Sequence, residues 1–106
     1  MPKFLVQGSY TSDGLTGVLR EGGTSRRAAA EAAVESVGGR LEAFYFAFGS
    51  ADFFVIADLP DQRTAAAVSM AANAGGQIHS TMVVLITPEE LDEAAKTVVS
   101  FRAPGT

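Results

Sequence analysis

The 106-residue chain contains no cysteine, which excludes disulfides and thiolate metal sites. Basic residues are scarce: eight Lys and Arg stand against twelve Asp and Glu, a formal charge of −4. Nucleic-acid binding relies on cations that neutralise phosphates, and here the basic residues are dispersed apart from Arg26-Arg27. The composition therefore argues against a nucleic-acid partner. No apolar run approaches the roughly 20 residues that span a bilayer, so no membrane segment is expected. Met1-Pro2-Lys3 runs directly into a strand-like segment, without a charged leader or a small-residue cleavage site. The expectation is a cytoplasmic protein. No Ser-His-Asp order, paired-carboxylate motif or dinucleotide fingerprint is present.

What is present centres on Leu41–Leu59. Two runs rich in aromatic and β-branched residues flank Gly49-Ser50-Ala51-Asp52, the pattern of a β-hairpin with a four-residue connection. Strict alternation puts Leu41, Ala43, Tyr45 and Ala47 on one face of the first run, with Phe44, Phe46 and Phe48 on the other. In the second run Phe53, Val55, Ala57 and Leu59 oppose Phe54 and Ile56. Strands that are apolar on both faces need cover on both sides.

The remaining elements are read from periodicity and caps. Lys3–Tyr10 alternates as a first strand, with Gly8 marking a bulge or a close backbone approach. Thr11-Ser12-Asp13 offers a cap for a short helix carrying Leu15, Val18 and Leu19, which Glu21-Gly22-Gly23 stops. Thr24 or Ser25 then caps a helix through Val37, with Ala30, Ala33, Val34 and Val37 as a narrow apolar stripe. Asp61 is placed to cap a third helix whose inner side reads Ala67, Met70, Ala71 and Ala74. Gln77–Ile86 is a fourth strand. Thr87-Pro88-Glu89-Glu90 forms a capping box with proline at the first helical position, opening a helix with Leu91, Ala94, Ala95 and Val98 on one side. Ser100–Thr106 lacks periodicity and is expected to be extended or frayed.

This order predicts an α+β fold in one domain spanning residues 1–106: a ferredoxin-like βαββαβ antiparallel sheet, helices on one face, plus a C-terminal helix. At this length such a domain buries about two-thirds of its unfolded surface. The other sheet face is left bare, and large bare apolar faces mark association surfaces. The partner expected is the protein itself, as a homodimer or higher oligomer joined through the open sheet face. The terminal helix folded across that face would be an alternative cover.

With order and residues in hand, the chain resembles the GYD-domain family, small bacterial ferredoxin-like proteins. The resemblance rests on KFLVQGSYTSDGLTGVLREGG, on RRAAAEAAVESVGGRLEAFYFAFGSADFFVIADLPD, and on the fourth strand with LITPEELDEAA. It implies a glycine-tyrosine-aspartate signature at the central turn. Here Gly49 and Asp52 are present, and Ala51 stands where that signature has tyrosine. By fold analogy it also points to dimeric α+β-barrel proteins, among them cofactor-free monooxygenases and haem enzymes. Fold alone does not assign function.

Several residues are candidates for chemistry. His79, the only histidine, reads as a general base or metal ligand, or as a strand residue near the sheet's edge or end with no catalytic partner. Haem ligation by His79 has only the fold analogy behind it, and no cofactor and no metal are expected. Asp52 reads as a pocket carboxylate or as a turn residue bonding amides. Tyr10 and Tyr45 offer hydroxyls that could orient a ligand, or serve packing. Arg26 and Arg27 fall in the first turn of a helix after Gly22-Gly23, so GGTSRR could cradle a small anion. Asn73 reads as a surface or helix-end residue. Three functional classes follow. One is a homo-oligomeric ligand-binding or assembly module; another is a cofactor-independent enzyme on a small apolar substrate with His79 or Asp52 as base; the third is a small-anion sensor.

Overall fold

A computed structural model describes residues 1–106. The chain runs β1 (Lys3–Tyr10), α1 (Ser12–Glu21), α2 (Gly23–Ser36), β2 (Arg40–Phe46), β3 (Phe53–Asp58), α3 (Gln62–Ala74), β4 (Ile78–Leu85) and α4 (Pro88–Ala95). The four strands form one sheet in the order β2-β3-β1-β4, with every neighbouring pair antiparallel. This is the α+β, ferredoxin-like arrangement that the pattern predicts. The added helix α1 precedes the first crossover helix.

Strand alternation sorts the sheet into two faces. One carries Phe4, Val6, Gly8 and Tyr10 from β1, beside Phe53, Val55 and Ala57 from β3. Here α2 and α3 pack, and Phe4, Val34, Ala57, Leu59 and Ala65 form the buried cluster, with Val37, Val68 and Met82 against it. The other face has no cover. Across its middle, strand pairing lines up Val83, Leu5, Ile56 and Ala43, and the next rows add Leu85, Phe54 and Tyr45.

A β-bulge lies between Leu41 and Ala43. It pairs Leu41 with Ala57 on the helix side and sends Ala43 and Tyr45 to the open face, so these three residues do not share the face that strict alternation assigns them. The bulge also brings Glu42 to Lys3, which bonds Asp58 at 2.9 Å as well. Arg40 reaches the same carboxylate at 3.2 Å. This ion cluster closes one end of the open face.

Three further expectations are corrected. The hairpin connection is six residues, 47–52, between the end of β2 at Phe46 and the start of β3 at Phe53, and the bond from Ala47 N–H to the Asp52 carbonyl (2.8 Å) closes its base. Phe48 therefore stands fully in solvent at the loop. Helix α2 takes no cap from Thr24 or Ser25. Gly22, at φ +91°, ends α1 and starts α2 in one step, a backbone conformation open to glycine. In α3 Ala65, Val68 and Ala72 turn inward and the expected Ala67 and Ala71 line the space beneath the helix, while Met70 points out, 68% exposed, and Ala74 is exposed. An alanine-rich helix has little side-chain bulk to fix its rotation, and the sole valine, Val68, sets it.

Gly8 marks a close approach rather than a bulge. Its pairing is regular on both sides, and a β-carbon there would collide with the His79 carbonyl and the Phe53 ring. The capping box at α4 is complete: Thr87 Oγ1 accepts from Glu90 N–H (3.0 Å) and Glu90 Oε1 from Thr87 N–H (2.9 Å). Yet every residue from Ile86 to Thr106 is exposed, including Leu91 (59%), Val98 (96%) and Phe101 (78%). The radius of gyration, 16.7 Å, exceeds the roughly 13 Å of a compact chain of this length, because this arm projects from the sheet.

Asn73 ties α3 to β4. Its Oδ1 accepts from Ser80 N–H (2.7 Å), and its Nδ2 donates to the Ser69 carbonyl (2.7 Å) and to Ser80 Oγ (3.1 Å). Asn73→Ala leaves the Ser80 amide without a partner beneath a helix. Chemical denaturation should register a loss of about 1–3 kcal/mol; an unchanged midpoint would mean that water replaces the amide.

The Lys3 ammonium, hydrogen-bonded to Asp58, holds the Asp58 carboxyl below its ordinary value, and the Arg40 charge adds to this. A depressed carboxylate stabilises the fold above its unfolded pKa and ceases to do so as pH falls through the folded pKa. Asp58→Asn should therefore be less stable than the native chain at neutral pH, by on the order of 1 kcal/mol given solvent screening. The gap should close on acidification below the usual carboxylate range, as followed by thermal melts across pH.

Candidate functional site

The helices that cover the sheet leave room beneath them. Large side chains rise from the strands, notably Phe44, Phe53, Val55 and Met82, whereas the helices answer with Ala29, Ala30 and Ala33 from α2 and Ala67, Ala71 and Ala72 from α3. Small residues on both helix faces do not fill the layer. The result is a cavity of about 600 Å³, within the range of small-molecule sites. One end is plugged by the core around Phe4, Val34 and Leu59. The other lies at the far end of β1, where Tyr10 and Arg26 stand.

That end holds most of the cavity's polarity. Tyr10 packs its ring on Phe53 at 5.2 Å between centroids. Burial pushes its phenol above the ordinary value, and the Arg26 guanidinium beside the hydroxyl partly offsets this. Arg26 turns inward from the first turn of α2. Its Nε is buried without a hydrogen-bond partner, and its guanidinium belongs to none of the ion pairs. Ser80, held by Asn73, contributes to the floor. No Asp or Glu lines the cavity.

The two arginines of GGTSRR thus part company: Arg26 lines the cavity, while Arg27 is exposed outside it. Tyr10 is at the site. Tyr45 is on the opposite sheet face, 70% exposed, paired with Phe54. Asp52 is used by the backbone. Its carboxylate accepts from Tyr10 N–H (2.9 Å) and its own N–H donates to the Gly8 carbonyl (2.7 Å), so it pins the hairpin loop to β1. Gly49 has no positive φ, and a β-carbon there would enter open space, so the turn geometry does not require glycine at this position.

His79 is exposed on the open face of edge strand β4, opposite Ser9. It borders a shallow polar depression of about 370 Å³ with Gln7, Ser50, Ala51 and Thr81, and no carboxylate lines it. The sheet itself separates His79 from the helix-side cavity. No group of three or more His, Asp or Glu side chains is placed to hold a metal ion.

Sequence reasoning singled out Arg26 and Tyr10 separately and missed that they meet. It also missed Ser80 and its clamp by Asn73. The usable signal was the excess of alanine on both helices opposite a sheet rich in phenylalanine, since such a pair of layers does not fill its own interior.

The family model described as GYD domain matches residues 4–95. No curated protein and no solved structure gives a significant match to the chain. No helix is long and apolar enough to cross a membrane.

The chain has two tyrosines, so Tyr45→Phe isolates Tyr10 for spectroscopy. The phenolate absorbance of that variant should develop above the ordinary tyrosine value of about 10. Adding Arg26→Gln should move it higher still, because the nearby positive charge is lost. A midpoint at or below the ordinary value would place Tyr10 in solvent.

Proposed function

The chain belongs to the GYD domain family, and we propose that this member is a homo-oligomeric ligand-binding module. The observation that carries the reading is the apolar cavity between helices and sheet, with one arginine and one tyrosine among its lining residues. A few polar groups at the mouth of an apolar cleft orient a ligand, and the apolar wall supplies affinity. Both candidate bases lie outside the cavity. Asp52 bonds two sites on β1, and His79 faces the far side of the sheet. This favours binding over proton-transfer chemistry.

Assembly is the second half of the proposal. Only nine of 106 residues are buried, few for a chain this long, so much apolar surface remains to be covered. Two bare surfaces belong to the same molecule: the open face with Val83, Leu5 and Ile56, and the arm with Leu91, Val98 and Phe101. An eight-residue helix with no buried residue has little stability of its own. A second copy meets both needs in an isologous pair, sheet against sheet, with each arm laid on its partner. The acidic chain without a basic patch supplies no reason for a nucleic-acid partner.

Light scattering at micromolar concentration should give at least a dimer. Val83→Lys, at a site already 45% exposed, should leave the fold intact and shift the mass toward monomer. A native chain that stays monomeric would overturn the assembly. For the cavity, native mass spectrometry of the purified protein should show a small molecule retained or, after its removal, uptake of a small apolar probe. Ala33→Phe, which fills the cavity, should abolish uptake without dissociating the oligomer.

A further inference from the structure

Arg26 is placed at a cost. Its Nε lies buried with no acceptor, and no carboxylate of the chain pairs with its guanidinium. A guanidinium nitrogen sealed from water without an acceptor is destabilising, and the two carboxylates whose charge reaches this end, Asp52 and Glu21, make no ion pair with it. The phenol beside it is protonated at neutral pH, as an ordinary tyrosine is, and so offers an O–H donor. Donors therefore converge at one end of a cavity whose other walls are apolar apart from Ser36 and Ser80 and carry no Asp or Glu. The chain as a whole is acidic, at −4, so any attraction for an anion must be local to this point.

The number of charges narrows the choice. One guanidinium balances one negative charge, and Arg27 is turned away outside. A phosphate dianion would carry a second charge into apolar surroundings unpaired, whereas a carboxylate matches the planar fork of a single arginine. Resting on the reading of the cavity as a ligand site, we infer that it takes an amphipathic monocarboxylate. The apolar body lies against Phe44, Phe53 and the helix alanines, and the carboxylate is held by the Arg26 guanidinium and the Tyr10 hydroxyl.

Calorimetric titration of the full chain with decanoate, decanol and decyl phosphate tests this. Decanoate should bind about tenfold or more tightly than decanol, the advantage expected of a charge-assisted hydrogen-bond pair. Arg26→Gln should erase that advantage, so that decanoate binds no more tightly than decanol. Tyr10→Phe should reduce it by a smaller factor, which keeps the test open should Arg26→Gln fail to fold. Arg27→Gln, with the same change in net charge, should leave decanoate binding unaltered. Equal binding of decanoate and decanol, or indifference to Arg26→Gln and Tyr10→Phe, would overturn the head-group assignment and leave an apolar site standing. Tighter binding of decyl phosphate than of decanoate would overturn the monoanion. Binding of none of the three would overturn both the inference and the cavity's role.

Discussion

The two-sided demand of the central strands governs the rest of this structure. Strand β1 pairs along its length with β3 on one side and β4 on the other, so neither β1 nor β3 has a free edge. Strand β3 carries apolar side chains both up and down, and β1 adds Leu5 to the lower side. The upward set, Phe4, Val6, Phe53, Val55 and Ala57, meets α2 and α3. The downward set, Leu5, Phe54 and Ile56, meets only its neighbours in the sheet and stays partly exposed. With two crossover helices on one face, the topology offers no further element for the other. The one candidate, α4, follows edge strand β4 and projects away.

The covered side is also incomplete, for a different reason. Helix α2 contributes one large buried side chain, Val34, and α3 contributes Ala65. Near the core end these suffice, since Leu59 and Phe4 fill the space between. Farther along, alanines and Arg26 face the sheet, and the layer does not close over rings as large as Phe44 and Phe53. The cavity therefore arises from a mismatch in side-chain volume. The same alanines would be a packing defect in a protein that had no use for the space.

Local signals were the most legible part of the sequence. The capping box at Thr87, the Asp61 cap (its carboxylate accepts from Thr64 N–H at 2.8 Å), the helix-ending glycines and the strand periods each depend on a few adjacent residues. They placed the elements and thereby the ferredoxin-like order. What escaped depends on distance. The bulge at Glu42 is set by pairing with β3 and by Lys3, 39 residues away in sequence. The position of the hairpin loop follows from Asp52, whose bonds go to β1. The rotation of α3 is fixed by Val68 against the core, where the helix's own pattern of alanines is nearly isotropic. The site was half legible: Arg26 and Tyr10 stood out as residue types, but their meeting requires α2 to lie over the end of β1.

Strand alternation has a last consequence for how ligand and partner relate. On β3, Phe53 and Val55 face the cavity, while Phe54 and Ile56 face the surface assigned to a second copy. On β4, Ser80 and Met82 belong to the cavity, and His79, Thr81 and Val83 to the open face. The two surfaces are thus built from alternate residues of the same strands and share no side chain. A ligand in the cavity influences assembly only by shifting the backbone of β1 and β3. Those strands are paired on both edges and pinned by the Asp52 carboxylate at one end and the Lys3–Asp58–Arg40 cluster at the other. A sheet held in this way transmits little, so the proposed binding and the proposed assembly are separable on this scaffold.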